Sequence, residues 1–320
     1  MDEISFAEIH EAALRSGFHD CGICDPEIPK EDADAYDTWL KDGLNAHLAY
    51  MENRIRIDPK SLFADLKSVI MFVTHYKQEK LPFEEGKGLI ASYARGRDYH
   101  RIHKKQLKEF ICWLEKRSGK EGIARGFSDS FPLLEKALAA KAGLGFVGKN
   151  TLLIHPKFGT FVLISGILTS LDLPRTASKA RMPRCGSCTK CLDACPTSAI
   201  IAPYRVDAAK CLSSLLIESK GPLENPEKVR NPGYIFGCDI CQDVCPHNVR
   251  KPLSLHTEFS QEKGQGAYIT RDRLEALLTM PEELYGSPTF GSPLNRRGAL
   301  GLKANAETLP WALEAAHELK

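Results

Sequence analysis

The sequence predicts an α+β protein in three consecutive parts: an alternating helix–strand segment over 1–174, a ferredoxin-like segment over 175–252 and a short, mostly helical region over 253–320. Three observations predict this. Amphipathic helical stretches alternate with short β-branched runs through the first part. Eight of the 11 cysteines fall between Cys185 and Cys245. Beyond Pro252 the chain turns irregular and then shows only weak helical periodicity.

The elements follow in order. Ser5–Ser16 is a helix with Phe6, Ile9, Ala13 and Leu14 on one side and Gly17 as its stop. His19–Cys24 is a short strand, and Asp32–Leu48 has a helical pattern. Ser68–His75 is apolar and β-branched, which predicts a buried strand. Gln78–Gly88, with Pro82 and Gly86, reads as a loop. Asp98 caps the longest helix, 98–117, whose apolar residues are Ile102, Leu107, Phe110, Ile111 and Leu114. Gly122–Phe127 is a strand, and Pro132–Ala142 a helix with Gly143 just past its end. Thr151–Ile154 and Thr160–Leu168 are expected to pair with each other. Arg175–Arg184 is a basic linker, and the tail holds helices over Arg271–Thr279, Arg297–Ala306 and Leu309–Leu319.

Gly143-Leu-Gly-Phe-Val-Gly148 fits G-x-G-x-x-G, but it follows a helix and precedes a strand, the reverse of a dinucleotide site, so it reads as a turn. Gly148-Lys-Asn-Thr151 lacks P-loop spacing. The N-terminus, acidic and amphipathic, has neither the basic nor the apolar region of a signal peptide. The most apolar stretch, Phe158–Leu173, is too short and polar to span a bilayer. With no secretion signal, the cysteines point to metal rather than disulfides, and the expected compartment is the cytoplasm. Net charge is +2, but the cations are bunched: Arg95, Arg97, Arg101, Lys104, Lys105 and Lys108, then Arg175, Lys179, Arg181 and Arg184. A solvated basic face or a phosphate-binding surface would both fit.

Cys185-x2-Cys188-x2-Cys191-x3-Cys195-Pro196 is the bacterial ferredoxin run, in which three thiolates hold one [4Fe–4S] cluster and the fourth reaches another. Cys238-x2-Cys241-x3-Cys245-Pro246 lacks its leading cysteine, and Cys211 is free to supply it. The interlaced assignment puts Cys185, Cys188, Cys191 and Cys245 on one cluster and Cys195, Cys211, Cys238 and Cys241 on the other. No tight spacing fixes Cys211, which leads the apolar run 211–217. Zinc sites typically use two C-x2-C pairs, which would leave the third cysteine at x2 and the Cys-Pro cysteine at x3 without a role. Cys21-x2-Cys24 and Cys112 read as incidental buried thiols.

On residue chemistry alone, Asp129 in Gly126-Phe-Ser-Asp-Ser-Phe-Pro-Leu-Leu-Glu135 is a turn or cap residue first and a proton donor second.

Several strings together resemble a known family. They are Tyr93-Ala-Arg-Gly-Arg-Asp-Tyr-His100, Ser128-Asp-Ser130 with Pro132-Leu-Leu-Glu135, and Lys141-Ala-Gly-Leu-Gly-Phe-Val-Gly-Lys-Asn150. Ile217-Glu-Ser-Lys-Gly221 and Phe236-Gly-Cys-Asp-Ile-Cys-Gln-Asp-Val-Cys-Pro246 complete the set. They resemble the epoxyqueuosine reductases, from the N-terminus to about Asn248. The resemblance implies a nitroreductase-like α/β core that binds cobalamin base-off, an architecture shared with reductive dehalogenases. It implies removal of the epoxide oxygen of epoxyqueuosine, at the wobble position of tRNA, as water, with two electrons and two protons. The clusters would feed the cobalt. Asp129 matches the family's proton donor. Arg56, Tyr99, His100, Lys149 and Asp239 are implied as cofactor or active-site neighbours, and Lys220 and Arg97 as tRNA contacts. No Asp-x-His-x-x-Gly corrinoid signature is present, which suits a cobalt without a protein histidine ligand. An external electron donor is required, and a monomer with no membrane association is expected. The C-terminal region leaves room for one or two helices where many relatives carry helical repeats. The alternatives are a small-molecule cobalamin reductase of the dehalogenase kind and a two-cluster electron-transfer protein.

Overall fold

The computed structural model describes residues 3–176, 184–279 and 291–311. Most of the basic linker and the chain from 312 onward, with the greater part of the expected 309–319 helix, lie outside them.

A four-stranded antiparallel sheet forms the centre. β1 (Asp20–Cys24), β2 (Ser68–His75), β4 (Ala124–Phe127) and β7 (Val162–Thr169) are ordered β1-β2-β7-β4. Every residue of β2 is buried, because both faces of the sheet are covered. Side chains alternate along a strand. Ile70 and Phe72 therefore meet α1 (Phe6–Arg15) and α3 (Tyr99–Ser118) through Ile9, Ala12, Leu107, Phe110 and Leu114. Val69, Met71 and Val73 face the other way, against Leu138, Ala139 and Ala142 of α4 (Glu135–Lys141) and just past it. A strand covered on both sides reads as an unbroken apolar run, which is why β2 was legible from sequence. Gly22 is required by packing. A Cβ there would lie 2.1 Å from the Ala142 carbonyl oxygen, so β1 can meet the end of α4 only with glycine.

The helix caps match their residues. Ser5 and Glu8 make a reciprocal capping box on α1. Asp98 accepts from the His100 N–H at the start of α3, and Gly119, at φ 64°, ends it. Two expectations are corrected. Cys112 is exposed rather than core, because α3 buries the face carrying Leu107, Phe110 and Leu114, and position 112 points away from it. The 151–154 and 160–168 runs do not pair with each other. β6 (Leu153–Ile154) pairs with β5 (Phe146–Val147), whereas β7 lies between β2 and β4. The helix expected over 32–48 spans Lys30–Lys41 and gives way to turns.

A second sheet ties the chain together. β3 (Lys87–Ile90) pairs with β10 (Tyr234–Phe236) and β11 (Tyr268–Thr270), one strand from each of the three expected parts. α8 (Arg271–Thr279) and α9 (Gly298–Ala306) pack over it, with Leu274, Leu302 and Ala306 against Ile90, Ile235, Phe236 and Ile269. β3 lies in and beyond the expected loop, and its four residues carry too little pattern to be found alone. Gly96 of the Arg-Gly-Arg string sits beneath the backbone of Glu258 and Phe259, where a Cβ would come within 2.5 Å.

Behind the sheet, Phe158 stacks on His75 and His155 and meets the edge of His19, which neighbours His256. Burial, reinforced by neighbouring rings and lysines, lowers His19 and His75 to about 4. Both are held neutral, and the buried Nε2 of His75 has no partner. An imidazole whose folded pKa lies below its unfolded value of about 6.5 contributes stability above pH 6.5 and loses it as pH falls toward 4. The loss for His75 is about 3 kcal/mol. Chemical denaturation midpoints should fall steeply between pH 6.5 and 5, and less steeply in His75→Gln; equal slopes would contradict this.

Candidate active site and cluster-binding cysteines

Asp129 has φ 55°, in the left-handed region, and Ser130 N–H donates to the Ser128 carbonyl at 2.7 Å. This is a γ-turn of the rare, strained hand centred on the carboxylate. Its supports are buried. His103, fully enclosed on α3, bonds Ser128 Oγ at 2.8 Å and Thr74 Oγ1 at 3.1 Å, and burial lowers it to about 3, so it acts as a neutral strut. The Asp129 side chain itself is 58% exposed.

The first turn of α3 supplies its partners. Tyr99 Oη donates to Asp129 Oδ2 at 2.7 Å. His100 has Nε2 3.3 Å from the same oxygen and Nδ1 2.7 Å from Asp98 Oδ1. An imidazole between two carboxylates has both nitrogens donating, which requires the cation. Burial opposes that charge, but Asp129 and Asp98 overcome it and raise His100 to about 9. Desolvation pushes the Asp129 carboxyl up; the bonds from His100 and Tyr99 outweigh it and hold it below its usual range. The resting proton therefore sits on His100. The residue expected to donate a proton is a carboxylate with a protonated neighbour.

Glu135, at the start of α4, adds a second proton. Burial and the Asp129 charge push it up to about 8, while the Asp129 N–H bonds to it, and its Oε1 has no partner. Sequence reasoning quoted Glu135 but gave it no role. It also missed Arg296, whose Nε and Nη2 grip Glu218 at 2.7 and 2.6 Å and whose charge reaches Tyr50 and Asp129. Arg296 comes from the C-terminal region, and no motif marks it. Its neighbour Arg297 donates to the carbonyls of Ser219 and Gly221 and so fixes the loop that carries exposed Lys220.

Arg56 is only 8% exposed, yet its guanidinium is offered Tyr50 O at 3.4 Å and the Tyr50 ring at 5.5 Å. It lies within electrostatic reach of Glu135. A buried cation with few partners thus lies within electrostatic reach of a carboxyl oxygen that has no partner among the described residues. Of the residues expected at the site, Arg56, Tyr99, His100 and Asp129 come together. Lys149 and Asp239 do not join them. Lys149 Nζ donates to the carbonyls of Gly186 and Cys188 at 2.6 and 3.0 Å. Asp239 is 2% exposed and accepts from Ser92 N–H and Gln242 Nε2 at 2.6 and 2.9 Å. Both brace cysteine loops. Arg97 is exposed and paired with Glu258 at 2.8 Å.

Mutual electrostatic influence links the cysteines across the two runs. Burial raises the Cys245 thiol, and Cys185, Cys191 and Cys188 add to it. Burial likewise raises Cys238 and Cys241; Cys211 and Cys195 reinforce the first, and Cys238, Cys211 and, from the other run, Cys191 reinforce the second. The crossing of each Cys-Pro cysteine toward the other run is what the ferredoxin pattern leads one to expect. Among the described residues no His, Cys, Asp or Glu set converges on a single ion. Cys211 caps α6 (Leu212–Glu218), where the Ser213 and Ser214 N–H groups face its sulfur. Cys21 and Cys24 are buried, far from both groups in sequence. A closed network docks the cysteine segment on the main sheet. Gln242 contacts Tyr76 at 3.3 Å, Thr160 at 3.0 Å and Asp239 at 2.9 Å, and Asn248 bonds Thr160 at 2.8 Å. Lys136, beside Glu135, faces Cys211, Glu135 and Asp129 together.

Comparison with known proteins accords with this geometry. Residues 184–248 match the family described as a 4Fe-4S double cluster binding domain, and residues 56–130 match that described as epoxyqueuosine reductase QueG, DUF1730. The chain is 41% identical to the epoxyqueuosine reductase of Cellulophaga algicola, over 75% of this chain and 78% of that one. It is 36% identical to that of Cyclobacterium marinum over 93% and 94% of the two chains. An epoxyqueuosine reductase solved with an epoxyqueuosine-modified tRNA-Tyr stem loop superposes with TM-score 0.82 at 26% identity, covering 98% of this chain and 84% of the other. The Bacillus subtilis enzyme, solved with an aspartate-bearing catalytic loop swung out of the active site, gives 0.82 at 27%, covering 98% and 83%.

Proposed function

This chain belongs to the epoxyqueuosine reductase family, and on that premise we propose that it reduces epoxyqueuosine to queuosine in the anticodon loop of tRNA. The observation that carries this proposal is the Asp129 carboxylate held by Tyr99 and His100 in a chain that also carries two ferredoxin-type sets of cysteines, with Lys136 within electrostatic reach of both Asp129 and Cys211. The cysteine sets can supply electrons and the carboxylate protons, as an oxygen lost as water demands.

Cobalamin, held by Arg56 and Tyr50 with Tyr99 and His100 beside it, would supply a cobalt centre able to pass electrons from the nearer cluster to the epoxide. The chain's own residues do the rest. Tyr99 and His100 aim Asp129 at the substrate oxygen. His100 holds one proton next to that carboxylate, and Glu135 holds a second behind the turn, matching the two protons the reaction consumes. Asp129 relays rather than stores. Cys185, Cys188, Cys191 and Cys245 bind one cluster, and Cys195, Cys211, Cys238 and Cys241 the other. Exposed Lys220, with Arg296, would contact a splayed anticodon nucleotide, whose extrusion from a single-stranded loop costs little. Arg97 offers a further phosphate contact.

Two tests follow. An epoxyqueuosine-modified anticodon stem loop should be converted, with affinity falling steeply with salt as counterions are released. Conversion of the free nucleoside at equal efficiency would favour a small-molecule reductase instead. His100 keeps its proton below its folded pKa of about 9 and loses it above. The rate should therefore fall on the alkaline side in two steps, near pH 8 as Glu135 loses its proton and near pH 9 as His100 does, and His100→Gln should be slower at neutral pH and lack the upper step. An unchanged profile in the variant would remove His100 from the proton path.

A further inference from the structure

Electrons must enter from outside, and the fold indicates where. This step rests on the two-cluster function above. Cys211 lies within electrostatic reach of Lys136, which also reaches Asp129, whereas Cys185, Cys188 and Cys191 lie in a surface loop in which Gly186, Ser187 and Lys190 are exposed. Two segments flank that loop, one bonded to it directly and the other tied to the first. Lys149 bonds the carbonyls of Gly186 and Cys188. The His247 ring meets the edge of Phe146 at 5.4 Å. Lys251 Nζ bonds the Pro156 carbonyl at 2.5 Å. Together, segments 144–160, 184–200 and 245–257 carry six cations, Lys149, Lys157, Arg184, Lys190, Arg250 and Lys251, against one carboxylate, Asp193. Val249, Leu253 and Leu255 are exposed on the same stretch, Leu255 at 93%. Apolar residues ringed by like charges mark a docking face rather than an ordinary solvated surface.

We propose that this face docks an acidic one-electron carrier protein, with an iron–sulfur or flavin centre, that reduces the cluster held by Cys185, Cys188, Cys191 and Cys245. Each encounter oxidises the carrier by one electron and reduces that cluster by one, with no bond made or broken. Two encounters supply the pair that the epoxide consumes. The positive charges of Arg184, Lys190 and Arg250 steer the acidic partner and, with the apolar residues, seat it close to the cluster.

The test uses full-length protein with both clusters and cobalamin, and either reduced flavodoxin or reduced plant-type ferredoxin as the donor. For wild type, the rate of cluster bleaching should fall about tenfold as salt is raised to screening levels. In the triple variant Arg184→Glu, Lys190→Glu, Arg250→Glu it should be about tenfold slower at low salt. Turnover with dithionite and stem-loop affinity should stay unchanged. An unaltered carrier rate, or a loss of stem-loop affinity in its place, overturns the proposal. If the variant fails to hold its clusters, the wild-type salt series decides, and a flat dependence overturns it. Failure of wild type to convert the stem loop even with dithionite would instead count against the reductase function itself. A response to flavodoxin alone or to ferredoxin alone identifies the carrier chemistry.

Discussion

Asp129→Ala should lose between about a hundredfold and ten-thousandfold in turnover, the range expected when a positioned proton-transfer group is removed. Both clusters and bound cobalamin should be retained. The geometry predicts this split. Asp129 bonds Tyr99 and His100 and is not one of the cluster cysteines, so its loss removes no ligand. Alanine does not relieve the left-handed backbone at position 129, so a modest loss of stability should accompany the loss of turnover. Asp129→Asn is the sharper probe. It keeps the shape and the Tyr99 bond but cannot carry a proton, so it should be nearly as slow. A fully active Asp129→Asn enzyme would mean that His100 or Glu135 donates directly and that the turn only shapes the pocket.

Cys211→Ala should be equally damaging by a different route. Cys211 is the one thiol of the buried group that no close sequence spacing demands, and its proximity to Cys238, Cys241 and Cys195 includes it. Removing it should drop iron from about eight to about four per chain. Conversion should cease even with a strong chemical reductant, because the cluster next to the active site is the one lost. Cys21→Ala and Cys24→Ala should leave iron content and turnover intact; burial raises both thiols, and they make no electron path. Full iron in Cys211→Ala would return the search for the eighth ligand to Cys21 and Cys24.

How much of this was legible in the sequence depends on the range of the interactions. The cysteine runs and β2 were readable because local spacing carries them, and the capped helices α1 and α3 because their end signals lie within one turn. Asp129 was only half readable: a Ser-Asp-Ser turn looks like any cap until His103, Tyr99 and His100 are seen to converge on it. Glu135 and Arg296 were hidden for another reason. A carboxyl at a helix start and an arginine in a tail have ordinary solvated roles, and only tertiary contact brings them beside Asp129. Lys149 and Asp239 lay in strings typical of the family, but strings do not indicate which of two neighbouring sites a side chain serves. β3, β10 and β11 were missed because three- and four-residue strands gain their stability from one another across more than a hundred residues of chain.

The most direct measurement is anaerobic, with protein carrying both clusters, epoxyqueuosine-containing tRNA and dithionite, with cobalamin either supplied or withheld, followed by nucleoside mass analysis. The account predicts that with cobalamin the modified nucleoside loses one oxygen to become queuosine, and that without it the epoxide persists. Equal conversion in protein stripped of all corrinoid, or an intact epoxide in protein fully loaded with clusters and cobalamin, would contradict it.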